Sequence, residues 1–272
     1  MGDQFFLITQ NDHANLSGRI AQHFGNDRFD PPIPREDTVI AASIHDCGWP
    51  LHDEQPTLNA AGLPVDVFES PLFVSLELWK AAAERAEAQS AYTALLVSLH
   101  VLGLSGLAAS HRHTQREVFK LNQFQHREIE RQEVLRRKLG LATDRATQLG
   151  LVVDEGDPAE QQLKRNHGIV QIHDRLSLAL CCTELPFREI DHVVQRIGEP
   201  LVTLRLSRKG TTLEIGPWPF DVQEMTFLVP YRAVAAKRYE TQGEFQAVYE
   251  SAPRGELELQ LRPASTLFRR LF

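Results

Sequence analysis

His13, Leu16, Ile20 and Phe24 recur at intervals of three, four and four, one inward face of a helix that Asn11 or Asp12 would cap. The apolar run before it, Phe5-Phe6-Leu7-Ile8, fits a first strand or a packing arm. After a loop rich in Asp and Pro, Gly25–Pro34, a second helix is marked by Pro34 with Glu36 and Asp37. Proline suits a first helical turn, and acids complement the positive end of the helix dipole. Val39–Ile44 is small and apolar, so this helix is predicted to be buried on most sides, with Gly48 ending it. Pro71 opens a third helix through Ala88, and Ser90 caps a fourth, Ala91–Leu104. In the fourth, Tyr92, Leu95, Leu96, Leu99, Val101 and Leu102 leave little polar face, which predicts a central position. A Gly/Ala/Ser break at Gly103–Ser110 precedes a charged helix from about Thr114 to Leu139. Its mixed charges over Arg127–Lys138 read as a solvated face with i,i+4 pairs. A second break, Gly140–Asp157, leads to Pro158 and a last long helix ending near Thr183.

The period changes after Pro186. Val202, Leu204 and Leu206 alternate with polar residues, and Arg208-Lys209-Gly210 forms a turn before Thr211–Ile215. Phe245, Ala247 and Tyr249 repeat the alternation, as do Leu257, Leu259 and Leu261. Gly198–Pro263 therefore reads as an antiparallel unit of roughly five strands. Gly216-Pro217-Trp218-Pro219-Phe220 reads as a rigid apolar connector, and Ala264–Phe272 as a short tail or helix. The expected fold class is α+β, a mainly α-helical bundle over residues 1–190 followed by a smaller antiparallel β unit over 191–272 packed on it.

Bulk properties narrow the function. A hydrophobic content of 42% is enough for a full core, and 272 residues allow one large domain or two smaller ones. A net charge of −7 argues against a nucleic-acid polymer as partner. Three cysteines, two of them adjacent at Cys181-Cys182, form no disulfide framework and fit a reducing compartment. Met1-Gly-Asp-Gln carries no basic leader, and no uninterrupted apolar run reaches the ~20 residues of a membrane span. The expectation is a cytoplasmic protein with no membrane partner. Its oligomeric state is left open.

The chemistry starts at Ala41–Gly48, where a buried helix ends in His45-Asp46. A buried aspartate is costly unless it is paired or binds a metal. Asp174 poses the same problem, set in an apolar stripe with Val170, Leu178 and Cys181. His13 lies on the inward face of the first helix, where a hydrogen-bonded core histidine is the plainer reading of that residue alone. Together these residues give the order H…HD…D on separate helices. This resembles the HD superfamily, and the resemblance implies that His13, His45, Asp46 and Asp174 hold a divalent metal in a helical bundle.

A closer resemblance, over most of the chain, is to a bacterial family of HD-like proteins that carries a domain-of-unknown-function label. It rests on Asp12-His13-Ala14 with Ser17-Gly18, His45-Asp46-Cys47-Gly48-Trp49, Leu96-Val97-Ser98-Leu99-His100, Asp174-Arg175-Leu176-Ser177-Leu178 with Cys181, and Pro217-Trp218-Pro219-Phe220. That family often has an acidic residue after the HD pair, where this chain has Cys47. The departure bears on catalytic rate rather than on metal binding.

Mixed imidazole and carboxylate ligands suit Mn, Fe, Ni, Zn or Mg. Such an ion acidifies its water and polarises a phosphoryl oxygen. The first reading is thus a phosphohydrolase acting on a small phosphorylated molecule, a phosphomonoester or phosphodiester such as a nucleotide. His100, inside the most apolar helix, and Asp53, in the long loop Trp49–Pro64, would assist proton transfer. His52, His111, Arg112, His113 and Arg175 would hold the phosphate. Plainer readings are a solvated turn for His52-Asp53 and surface positions for the arginines. Two other functions stay open. One is a dinuclear iron oxygenase, with His100 and either His111 or His113 as extra ligands. The other is a non-catalytic metal- or ligand-binding module that uses the β unit as an interaction surface.

Overall fold

The computed structural model describes residues 4–111, 113–143 and 157–265. Arg112, most of the second break and most of the C-terminal tail lie outside the described residues. The helices are α1 (Gln10–Ala21), α2 (Arg35–Ile44), the single turn α3 (Pro50–Asp53), α4 (Leu72–Ala86), α5 (Ala91–Ala108), α6 (Gln115–Leu139), α7 (Pro158–Cys181) and α8 (Gln242–Ser251). The strands are β1 (Gln4–Leu7), β2 (Glu189–Val193), β3 (Val202–Lys209), β4 (Thr212–Gly216), β5 (Met225–Ala235) and β6 (Arg254–Pro263). The architecture is α+β, as the two hydrophobic periods predict.

Helix starts follow their capping chemistry. Ser90 accepts from Thr93 N, Asp157 accepts from Ala159 N and Glu160 N ahead of Pro158, and Thr114 closes a reciprocal capping box with Glu117. For α1 the cap is Thr9, which accepts from Asp12 N, so the helix starts earlier than Asn11 or Asp12 as cap would have it. Helix α5 continues past Gly103 to Ala108, because it is packed on several sides and local glycine cost is overridden. By length and composition alone α5 could span a membrane. Half of it is buried in the protein, where it contacts α2, α4, α6 and α7 as the bundle's central helix.

The strands form one six-stranded sheet in the order β1-β5-β6-β4-β3-β2. Its pairs are antiparallel except β4 with β6, which run parallel, so the sheet is mixed rather than wholly antiparallel. The chain leaves β4 along Pro217–Phe220, builds β5 one place away, and returns through α8 to fill the gap with β6. The N-terminal run supplies β1, which pairs with β5.

One segment differs in kind from its sequence reading. Phe245, Ala247 and Tyr249 are on a helix, α8, not a strand. Phe245 and Tyr249 are four apart and both buried against Val234 and Tyr239, while Ala247 is exposed. Three apolar residues at alternate positions also satisfy an i,i+4 pair, and the Thr241 cap decides for the helix.

Helices α1 and α7 pack on the sheet in the main core. Leu16, Ile20, Ile169, Ile172, Leu176 and Leu180 meet Leu204, Leu206, Ile215, Phe227, Leu259 and Leu261 in the main core. Beyond them, α2, α4, α5 and α6 form a second apolar layer around Ala41, Ala82, Leu95, Leu96 and Leu135. Helices α1 and α2 approach closely at Gly18. A Cβ there would stand 1.7 Å from Ser43 Oγ and 2.9 Å from Ser43 Cα. Gly18→Ala is therefore expected to cost about 1–3 kcal/mol by overpacking. It should also weaken metal binding, since His13 and His45 ride on these two helices. Denaturant unfolding with a parallel metal titration checks this, and wild-type values in both would contradict it.

Candidate metal centre

Four elements converge between the two helical layers. His13 is in the first turns of α1, facing inward with only 2% exposure. His45 is the first residue beyond α2, fully buried, and its Nδ1 donates to the Ala42 carbonyl at 2.8 Å. That carbonyl is one of those a helix C-terminus leaves without a helical partner. Asp46 follows in the turn, with Oδ1 accepting from Trp49 Nε1 at 3.1 Å. Asp174 projects from the middle of α7. Gly48 keeps this turn pressed on α4, where a Cβ would lie 2.0 Å from the Leu78 carbonyl oxygen.

The donor atoms of His13, His45 and Asp174 lie within 4.8 Å of one another, a geometry able to hold a metal ion. The two Nε2 atoms are 3.1 Å apart. Asp174 Oδ1 is 3.3 Å from His13 Nε2 and 3.4 Å from His45 Nε2. Asp46 Oδ2 stands 3.5 and 3.6 Å from the same two nitrogens.

The partners of the imidazoles show what the cluster needs. The Ala42 carbonyl only accepts, so His45 carries its proton on Nδ1 and turns an Nε2 lone pair inward. The Ser177 hydroxyl donates to the Asp174 carbonyl at 2.9 Å, leaving its oxygen to accept from His13 Nδ1 at 2.8 Å. His13 then also presents Nε2 inward. Two lone pairs and two carboxylates facing one another in a buried space require a cation, either protons or a metal. The donor set therefore fits a divalent ion, and the fixed Nδ1 partners are the outer contacts that orient such ligands. In the metal-free protein, burial lowers the His13 pKa, but Asp174 and Asp46 outweigh it and hold it at about 9. The same carboxylates raise His45 against its burial. Against the cost of burial, the imidazoles keep Asp46 below and Asp174 well below the usual carboxylate value.

The other candidates separate into near and remote. His100 is 1% exposed, with Nε2 3.8 Å from Asp174 Oδ2 and its ring 5.0 Å from that of His45. Neither of its nitrogens has a hydrogen-bond partner among the described residues, and burial pushes its pKa down to about 4. His52 and Asp53 lie on α3 and, with His13, line one cavity of about 430 Å3. His52 stacks edge-on against Trp49, and burial lowers its pKa. Burial pushes Asp53 up to about 7, although its Oδ2 accepts from Gln10 N and Asn11 N.

His111 is exposed just beyond α5, and His113 Nε2 donates to the Ala108 carbonyl. At ~1.5 Å per helical residue the end of α5 at Ala108 is already roughly 12 Å along the axis from His100, and both histidines lie beyond it. Arg175 turns toward β2, donating to the Glu189 carbonyl and lying over the Phe187 ring at 4.5 Å. The structure does not bring His111, His113 or Arg175 to the cluster, and Arg112 is outside the described residues.

Three residues near the cluster have no role in the sequence expectations. Ser177 and Trp49 are fixed hydrogen-bond partners of the His13 and Asp46 side chains, and each stands three residues after a member of the cluster, Asp174 or Asp46. The third, His167, is seven residues before Asp174 on the same helix, with Nε2 unpartnered among the described residues. Its pKa is pushed down to about 3 by burial and by the nearby His100.

A family model described as a protein of unknown function (DUF3891) matches residues 1–236. The chain belongs to this family. The match covers the whole cluster of the DUF3891 chain, from His13 to Asp174. No curated protein and no solved structure gives a significant match.

Proposed function

We propose that this DUF3891 chain is a metal-dependent hydrolase of the HD type, acting on a small phosphoester, with His13, His45, Asp46 and Asp174 as ligands. The observation that carries the reading is the pair of inward Nε2 atoms 3.1 Å apart beside two carboxylates, each imidazole fixed through its Nδ1. A divalent ion, Mn, Fe, Ni, Zn or Mg by donor type, supplies a Lewis acid and acidifies its water. The cavity reaching His13 admits substrate. Asp53 lines that cavity with a pKa near 7, suited to taking a proton from water and returning it to a leaving group. His52, at the same cavity, is held neutral by its burial and positions the substrate.

The test is turnover of phosphomonoesters and phosphodiesters by the metal-loaded protein. Asp53→Asn keeps the acceptor for Gln10 N and Asn11 N, so the fold and metal content should survive. It should lower kcat by about 10²-fold and remove an ionisation near pH 7 from the rate profile. An unchanged profile would exclude Asp53 from proton transfer, and no turnover of any phosphoester would refute the hydrolase.

One observation favours a second reading, the dinuclear iron oxygenase. Asp174 turns Oδ1 to His13 and His45 and Oδ2 toward His100, whose nitrogens lack partners. This reading would take His167, unpartnered at Nε2 among the described residues, as the further imidazole. Two irons per chain with oxygen consumption, falling to one iron in His100→Gln, would select this reading. One metal in both proteins selects the first.

A further inference from the structure

We propose that a cavity between α7 and the edge strand β2 binds a small oxyanion of the size of phosphate. None of its lining residues belongs to the metal cluster, so the site is independent of the metal-centre reading. The cavity measures about 220 Å3, below the usual range for an organic ligand and suited to a single oxyanion. One wall is a face of α7, where Arg165, Gly168, Ile172 and Arg175 follow at spacings of three, four and three. Strand β2 supplies Asp191 and His192.

Arg165 carries the inference. It is only 3% exposed, yet it is in no ion pair among the described residues. Its Nη1 donates to the Pro31 carbonyl at 3.0 Å and its Nη2 to the Asp30 carbonyl. The buried Nε has no hydrogen-bond partner among the described residues. A carbonyl carries no net charge, so this guanidinium lacks a counter-ion, and a buried charge is costly without one. The Asp30 carboxylate is taken by Arg196 Nε, at 3.4 Å. Arg175 repeats the pattern half-buried, donating to the Glu189 carbonyl and in no ion pair among the described residues. An oxyanion in the cavity gives both guanidiniums a charged acceptor.

Two more features of the wall break local rules. Gly168 stands inside a helix, where glycine is unfavourable. Close packing does not demand it, since a Cβ there would meet no atom within 4 Å. What the glycine does is leave space along the face that joins the two arginines. His192 is held at φ 62°, uncommon for a residue with a side chain, where the β2–β3 register shifts between Ile190 and Val193. Such strain collects at ligand sites. Asp191 is a carboxylate on the same wall, and its Oδ1 accepts from Thr203 Oγ1 at 2.6 Å. With two guanidiniums against that one carboxylate, the lining is net positive.

Calorimetric titration with inorganic phosphate tests this on the full chain, cleared of metal by chelation and exchanged into chloride. About one phosphate per chain is expected to bind, with sulfate competing for the same site. Arg175→Gln should weaken binding about tenfold or more, the loss of a hydrogen bond between charged groups. Arg165 also ties down the loop before α2, so the second variant is Gly168→Leu, which fills the cavity with a better helix former. Its thermal midpoint in chloride should match or exceed that of the wild type, and phosphate should no longer raise it. No saturable binding by the metal-free wild type would overturn the site, and so would wild-type affinity in either folded variant. Should Gly168→Leu fail to fold, Arg175→Gln decides alone. Binding that appears only after loading with Mn2+ would place the phosphate on the metal, overturning this site and leaving the phosphoester reading standing.

Discussion

His45→Ala is expected to abolish metal binding, while Ser177→Ala weakens it without abolishing it. The two differ by position in the same chain of contacts. His45 presents Nε2 directly to His13 Nε2, Asp46 and Asp174, so its loss removes a donor and leaves two carboxylates with one imidazole between them. Ser177 touches the cluster only through His13 Nδ1, at 2.8 Å. Its removal frees the His13 ring and its tautomer, a loss that typically costs about 10–100-fold in affinity. Equilibrium titration with Mn2+ and Zn2+ measures both. Wild-type affinity in His45→Ala would remove that residue from the ligand set, and wild-type affinity in Ser177→Ala would remove the serine's orienting role.

Metal affinity should also climb with pH. In the metal-free protein burial opposes a proton on His13, but Asp174 and Asp46 hold the pKa at about 9, above the ordinary 6.5. A folded-state pKa raised in this way stabilises the metal-free protein fully below pH 6.5, and the contribution is lost as the pH rises through about 9. A metal must displace that proton. Below about pH 9 each unit of acidification therefore costs about tenfold in apparent affinity, or about 100-fold between pH 8 and pH 6. Metal-free protein should lose stability over the same range in which metal-loaded protein holds it. Calorimetry in two buffers of different ionisation enthalpy should show at least one proton released per metal near neutral pH. No proton release would mean that His13 is neutral without metal and that the carboxylates do not govern it.

Much of this site was legible because burial and charge conflict in the sequence itself. Asp174 within Val170, Leu178 and Cys181, and Asp46 at the end of a small apolar helix, are positions where a carboxylate persists only with a partner. The 3.6 period put His13 on the inward face, and the change to period two located β3, β4 and β6. What stayed hidden depends on long-range pairing. No local signal shows that Gln4–Leu7 would pair with β5 at the far end of the chain, or that β6 would lie parallel to β4. Residues 245–249 satisfied both periods, and the cap at Thr241 was the feature that separated them. Ser177 and Trp49 were in view but have no chemistry of their own, so only the contact to a ligand side chain gives them a role. His111 and His113 looked available because Gly103–Ser110 read as a break, whereas α5 runs on to Ala108 and leaves both beyond its far end.

Metal held by His13, His45, Asp46 and Asp174 should survive gel filtration after incubation with excess Mn2+ or Fe2+, and elemental analysis of the eluted protein measures it. About one equivalent or more of a divalent metal is expected per wild-type chain, and essentially none in Asp174→Ala. A folded wild-type chain leaving the column without metal, or an Asp174→Ala chain retaining the wild-type amount, would contradict it.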